Sequence, residues 1–195
     1  GATVSEAATL QGFAKAVVYN ISDTVTNIIG AASAMLNDAV NITATDAVTV
    51  AQATIIESAT NSGTNTYDIT DTSANLAASS NAVLTLGTTV TASNAATVAQ
   101  ATTVQAFAKA VVYNISDTVA AITGAAGVAL NDAVNITSSN AATVAQATTI
   151  EAATNSGANS YAISDTAANL VASTNAVLTL GTTVTASDTA TAAQA

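Results

Sequence analysis

The sequence predicts an α/β fold: a solenoid of about eight strand–helix coils carrying one parallel sheet. Three observations predict it. The chain repeats itself at an offset of 94 residues, short β-branched motifs recur every 21 to 27 residues, and Ala-rich stretches follow those motifs after a helix-cap signal. An all-β parallel β-helix is the alternative, because it accepts coils of the same length.

The repeat comes first. Phe13-Ala14-Lys15-Ala16-Val17-Val18-Tyr19-Asn20-Ile21-Ser22-Asp23-Thr24 recurs unchanged as Phe107 to Thr118, and Asn81 to Ser93 recurs as Asn175 to Ser187. The whole chain, 1–195, therefore reads as a single repeat array: one unit over about 1–94, a second over about 95–188, and an overhang at 189–195. Each unit is divided again. Tyr19, Tyr67, Tyr113 and Tyr161 open four related segments, at spacings of 48, 46 and 48 residues.

Strands are expected around the aliphatic centres Ile21, Ile42, Ile69, Val90, Ile115, Ile136, Ile163 and Val184. Apolar and polar residues alternate there, and β-branched residues are enriched. Cap signals follow directly at Asp23-Thr24, Asp71-Thr72, Asp117-Thr118 and Asp165-Thr166. The intervening coils offer Thr45-Asp46, Ser93-Asn94, Ser139-Asn140 and Ser187-Asp188. These side chains accept bonds from the first free amides of a helix. The Ala-rich run from Ala95 to Phe107 then has Val98, Ala101, Val104 and Phe107 at helical spacing. Asn61-Ser62-Gly63, Asn155-Ser156-Gly157, Gly87 and Gly181 close coils, and Gly suits a left-handed residue at a helix end. Asn81 to Leu86 reads as either helix or strand.

Composition narrows the functions. Half of the 195 residues are apolar, but there are only two Phe, four Tyr and no Trp, so the core must be built in small, regular layers. Lys15 and Lys109 are the only basic residues against twelve acids, giving a net charge of −10. That balance argues against nucleic acid and anionic membrane surfaces, both of which are bound through Lys and Arg. No apolar run is long enough to span a membrane. Gly1 to Glu6 lack the basic start and apolar stretch of a signal peptide. With no Cys and no His, disulfides, thiolate chemistry, ordinary zinc sites and histidine acid–base catalysis all go together. The equivalent Lys15 and Lys109 are too far apart in sequence to suggest a cooperating pair. The aromatics are too few to wall a glycosidase cleft. No catalytic residue, cofactor or metal ligand is expected.

Two sets of residues are candidates for function. Directly after each strand centre stand Ser22, Thr43, Thr70, Thr91, Ser116, Thr137, Ser164 and Thr185; two positions later stand Thr24, Thr45, Thr72, Ser93, Thr118, Ser139, Thr166 and Ser187. Side chains alternate across a strand, so the first set faces outward. On one sheet it would form a hydroxyl array roughly 34 Å long, at ~4.8 Å per strand. A solvated sheet face accounts for it without a ligand; a glycan, mineral or ice lattice is the sharper alternative. The acids Asp23, Asp71, Asp117 and Asp165 fall on every second coil, ~9–10 Å apart, too far for one calcium ion to bridge. They are expected to cap helices. Asp38 and Asp132 read as turn residues, and the four Tyr as a core ladder. Asn20-Ile-Ser22, Asn41-Ile-Thr43, Asn114-Ile-Ser116 and Asn135-Ile-Thr137 match the glycosylation sequon but follow from the strand repeat itself.

Ile163 to Leu170, ISDTAANL, and Asn140 to Ala147, NAATVAQA, resemble repeats of very large exported bacterial proteins of the haemolysin-type, adhesin-like or surface-layer-associated kind. The resemblance covers nearly the whole chain and implies an extracellular or cell-surface setting. Such proteins often carry calcium-binding Gly-Gly-x-Gly-x-Asp repeats; that motif is absent here, so no metal site is carried over.

Residues 2–7 and 190–195 both align with 96–101, inside an expected helix, and neither offers a polar capping repeat. End-to-end self-association is therefore expected. A structural segment, whether rigid spacer or self-assembling fibre element, is the first functional expectation. A binding module using the hydroxyl face is the second.

Overall fold

Strands of two or three residues alternate with helices of five to eight. The structure is a computed structural model in which residues 1–193 are described; the last two residues of the overhang 189–195 lie outside the described residues. The α/β expectation holds and the all-β alternative does not. The chain divides into two compact units, residues 1–93 with 107–111, and residues 94–106 with 112–195.

In the first unit the order is α1 (Val4–Gln11), β1 (Ile21–Asp23), α2 (Val25–Gly30), α3 (Ser33–Asp38), β2 (Ile42–Ala44), α4 (Val50–Glu57), β3 (Asn65–Thr66), β4 (Ile69–Asp71), α5 (Ser73–Ala78), α6 (Asn81–Leu86) and β5 (Val90–Ala92). Asn81 to Leu86 is thus helical. The second unit runs α7 (Val98–Gln105), β6 (Ile115–Asp117), α8 (Val119–Thr123), α9 (Gly127–Asn131), β7 (Ile136–Ser138), α10 (Val144–Glu151), β8 (Asn159–Ser160), β9 (Ile163–Asp165), α11 (Ala167–Ala172), α12 (Asn175–Leu180) and β10 (Val184–Ala186).

All strand pairs are parallel, but they do not make the one sheet that the spacing predicts. In the first unit Ile21 pairs with Ile42 and Ile42 with Asn65, while a separate sheet pairs Ile69 with Val90. The second unit repeats this, with Ile115, Ile136 and Asn159 in one sheet and Ile163 with Val184 in another. The reason lies in the 27-residue spacing between Ile42 and Ile69. Asn65 already closes the first ladder, and Val48 bridges to Ile69 to begin the next. Residues 42–48 therefore serve two sheets, with a step between them.

Ile21, Ile42, Ile69 and Val90 point inward and are buried with Ile28, Leu36, Ile56, Leu76 and Leu84 from the helices. Each such side chain contributes about 1.5–3 kcal/mol by leaving water. Ala7 and Ala53 are fully buried on the eight-residue helices α1 and α4, where a methyl is all the space admits. α1 packs on α3, and α4 on both α2 and α6; α7 packs on α9, and α10 on both α8 and α12. Tyr19, Tyr67, Tyr113 and Tyr161 are all buried, as a core ladder requires.

The glycines act differently from expectation. Among the described residues no φ is positive, so none supplies a left-handed helix end. Gly63 and Gly157 are needed for close approach instead: a Cβ there would stand 2.5 Å from the Val40 and Val134 carbonyl oxygens. A Cβ on Gly87 would press on Ile69 Cδ1 at 2.9 Å, and one on Gly181 on the same atom of Ile163 at 3.0 Å.

Candidate functional site

The outward row of hydroxyls is present but broken by the step. Ser22 pairs in register with Thr43, and Thr43 with Thr66 instead of Thr70; Thr70 pairs with Thr91 in the other sheet. The second unit likewise has Ser116, Thr137 and Ser160 in one row and Ser164 with Thr185 in another. Thr66 and Ser160 thus belong to the rows although the sequence spacing passed over them. None of the eight predicted hydroxyl residues is buried. Among the described residues none of their hydroxyls bonds to another part of the protein, so all are open to solvent or a ligand.

The carboxylates behave as clasps. Asp23 Oδ2 accepts from the Val4 amide at 2.9 Å, the first residue of α1, nineteen residues earlier. Its Oδ1 accepts from the Thr24 amide and from Asn27 Nδ2, both at 2.8 Å, at the start of α2. Asp71 joins Val50 of α4 to Thr72 and Asn75 in the same way, and Asp165 joins Val144 of α10 to Thr166 and Asn169. Asp117 takes the amides of Val98 and Thr118. These acids do cap helices, but the helix that each completes is the preceding one. Asp46, Asn140 and Asp188 do the same for Val25, Val119 and Ala167.

The expected caps at Thr45-Asp46 and Ser139-Asn140 therefore do not open α4 and α10, and no helix follows Ser187-Asp188 among the described residues. α4, α7 and α10 begin later, after Thr49, Thr97 and Thr143, each in a reciprocal capping box with Gln52, Gln100 or Gln146; Thr3 and Glu6 make the same box for α1. The Thr-x-x-Gln spacing carried that signal in the sequence. Thr72, Thr118 and Thr166 cap their own helices, whereas Thr24 makes no such bond.

At Asp23 and Asp165 hydrogen bonds favour the charged carboxylate. The Asn27 amide, then those of Val4 and Thr24, hold the Asp23 carboxyl below its ordinary range. Asn169, then Val144 and Thr166, do the same for Asp165. All stabilise the ionised form.

The sequon asparagines are engaged in a ladder. Asn20 Oδ1 accepts from Asn41 Nδ2 at 2.8 Å, and Asn41 Oδ1 accepts from the Thr64 amide; Asn114, Asn135 and Ala158 repeat the pattern. The tyrosines alternate in partner. Tyr19 donates to the Met35 carbonyl and Tyr113 to that of Ala129, whereas Tyr67 donates to Glu57 Oε1 at 2.8 Å. Glu151 faces Tyr161 from the equivalent place, yet the buried Tyr161 hydroxyl lacks a bond of good geometry. Burial raises all four phenols above their ordinary value, and the facing carboxylates add to this at Tyr67 and Tyr161.

A groove of about 700 Å³ in the first unit has Lys15, Tyr19 and Asp38 on its walls among Phe13, Val17 and Val18. It is half open. Asp38 closes α3, where Gln11 Nε2 donates to it at 2.8 Å; Asp132 follows α9 directly. Among the described residues no group of three His, Cys, Asp or Glu could hold a metal ion, and no helix is long and apolar enough to cross a membrane. No protein-family model matches this sequence, and no curated protein or solved structure shows significant similarity to it.

Proposed function

We propose that the chain is a non-catalytic structural repeat segment of an extracellular or cell-surface protein. In this reading each unit is a run of solenoid coils that serves as a rigid spacer or as a self-assembling element of a fibre or surface layer. The observation that carries the reading is the forward clasp. A helix such as α1 or α4 has its first amide satisfied only by a side chain 19 or 21 residues further on. Each coil is thus completed by its successor, which is the nearest-neighbour logic of a repeat array. The extracellular setting rests on the resemblance of Ile163 to Leu170 and Asn140 to Ala147 to exported repeat proteins.

Concatenating one, two and three 94-residue units and measuring their maximum dimension by small-angle X-ray scattering tests the spacer. The expected increment is constant, roughly 19 Å per unit for four coils at ~4.8 Å each. A dimension rising only as the cube root of length would sink it.

The second reading is a binding module for glycan, mineral or ice. The unbonded, solvent-facing hydroxyls of Ser22, Thr43 and Thr66, in register on one sheet, favour it. Thermal hysteresis measured at millimolar protein checks the ice version, and its absence would remove that version.

A further inference from the structure

The four Asn-x-Ser/Thr sequons are not equivalent in the structure. Strand alternation does not itself call for Asn before a strand centre: Asp68, Thr89, Ala162 and Thr183 hold that place in the other coils. Where Asn does stand there, two carboxamides meet across neighbouring strands. Asn114 Oδ1 accepts from the Asn135 amide at 3.1 Å and from Asn135 Nδ2 at 2.9 Å. Asn135 Oδ1 in turn accepts from the Ala158 amide at 2.9 Å. Asn20, Asn41 and Thr64 repeat the arrangement at 3.1, 2.8 and 2.8 Å.

Each pair thus has one side-chain nitrogen committed and one free. Asn135 Nδ2 and Asn41 Nδ2 are held in the ladder, and both residues are half-buried. The following coil also crowds them: a Cβ on Gly157 would stand 3.1 Å from Asn135 Cγ, and one on Gly63 equally close to Asn41 Cγ. Asn114 and Asn20 are exposed, and among the described residues their Nδ2 atoms donate to nothing in the protein. Their carbonyl oxygens are each pinned by two bonds, so the free nitrogen is held outward in a fixed direction. Ser116 and Ser22, two residues on, share that outward face, and their hydroxyls are unbonded. A glycosylation acceptor needs the carboxamide nitrogen and that hydroxyl together, at the surface.

We propose that Asn114 and Asn20 are sites of N-linked glycosylation on the folded chain, while the fold withholds Asn135 and Asn41. The donor is a sugar activated as a nucleotide diphosphate. Asn Nδ2 forms a bond to the anomeric carbon as the bond from that carbon to the diphosphate oxygen breaks. The nucleotide diphosphate leaves with the electron pair, and a base of the transferase takes the proton from Nδ2. The sugar on Asn114 stands beside the row of Ser116, Thr137 and Ser160, and that on Asn20 beside the row of Ser22, Thr43 and Thr66.

The test uses the chain expressed in a host that adds no sugar, UDP-glucose, and a soluble transferase that modifies free peptides carrying each of the four sequons. After incubation of the folded protein, its intact mass should show two added hexoses, and peptide mapping should place them on Asn114 and Asn20. Relative to their own free peptides, Asn135 and Asn41 should react at least about fivefold more slowly than Asn114 and Asn20, the factor that one hydrogen bond of ordinary strength gives. Asn114→Gln and Asn20→Gln should each remove one hexose with an unchanged circular dichroism spectrum; the wild-type map decides the matter without them if either fails to fold. A folded chain that takes no hexose would overturn the assignment. So would one modified equally at all four sequons, or first at Asn135 and Asn41.

Discussion

Asn81 to Ser93 and Asn175 to Ser187 are one sequence written twice, and their burial differs. Both fold into a six-residue helix and a three-residue strand with the same bounds, α6 with β5 and α12 with β10. In the first copy Leu84 and Val90 are sealed; in the second, Leu178 is half-buried and Val184 open. Local sequence therefore sets local structure here, and neighbours set burial. The forward clasps follow the same division, since the acceptor for a helix amide comes from the next crossover.

The largest test of that comparison is in the core. Leu84→Ala should cost about 2–5 kcal/mol, as for other buried leucines, while Leu178→Ala should cost clearly less. Urea unfolding of both variants measures this, and equal losses would break the comparison. Next come the close approaches. Gly63→Ala and Gly157→Ala should each cost about 1–3 kcal/mol, because the added methyl meets a carbonyl oxygen in either unit. Gly30→Ala, with nothing within 4 Å of its added Cβ, should be neutral or gain up to about 1 kcal/mol. Thermal melts distinguish the three.

The clasp itself is smaller. Asp71→Ala removes the acceptor for Val50, Thr72 and Asn75 and should cost about 1–2 kcal/mol. Asp71→Asn should lose less, since Asn140 already does this work for Val119. Hydrogen exchange at the Val50 amide should quicken in the alanine variant, although Val50 lies 21 residues from the change.

The smallest effect is with pH. Asp23 and Asp165 titrate below their ordinary value in the folded protein. Their contribution is therefore complete above the unfolded value near ~3.9 and is lost as pH falls through the folded one. Asn27→Ala removes the leading cause at Asp23 and should reduce that acid-side loss, while leaving stability at neutral pH only slightly lower. Denaturation midpoints compared at pH 3 and pH 7 in the two proteins check it.

Much of the fold was legible in one dimension. Alternation about Ile21, Ile69, Ile115 and Ile163 marked strands, and the Ala-rich runs marked helices, because both periodicities are properties of consecutive residues. The tyrosines read as core for the same reason: four equivalent aromatics in a chain so poor in them have little else to do. The caps were half legible. A helix-capping residue was recognisable in Asp23, but its partner, Val4, lies in another crossover, and no local rule names that partner. Thr49 and Gln52, by contrast, carried a local signal in their three-residue spacing.

By itself the sequence determined the repeat, the strands about its eight aliphatic centres with helices between them, which face of each of those strands is apolar, and the hydroxyls on the other face. Tertiary structure alone decided that Thr43 pairs with Thr66, that Gly63 is needed for closeness instead of a left-handed turn, and that Val90 is sealed while Val184 is open. The physical reason is range. Propensity, alternation and capping boxes act over two to four residues, whereas strand register, carbonyl contacts and burial depend on residues about 20 positions away along the chain.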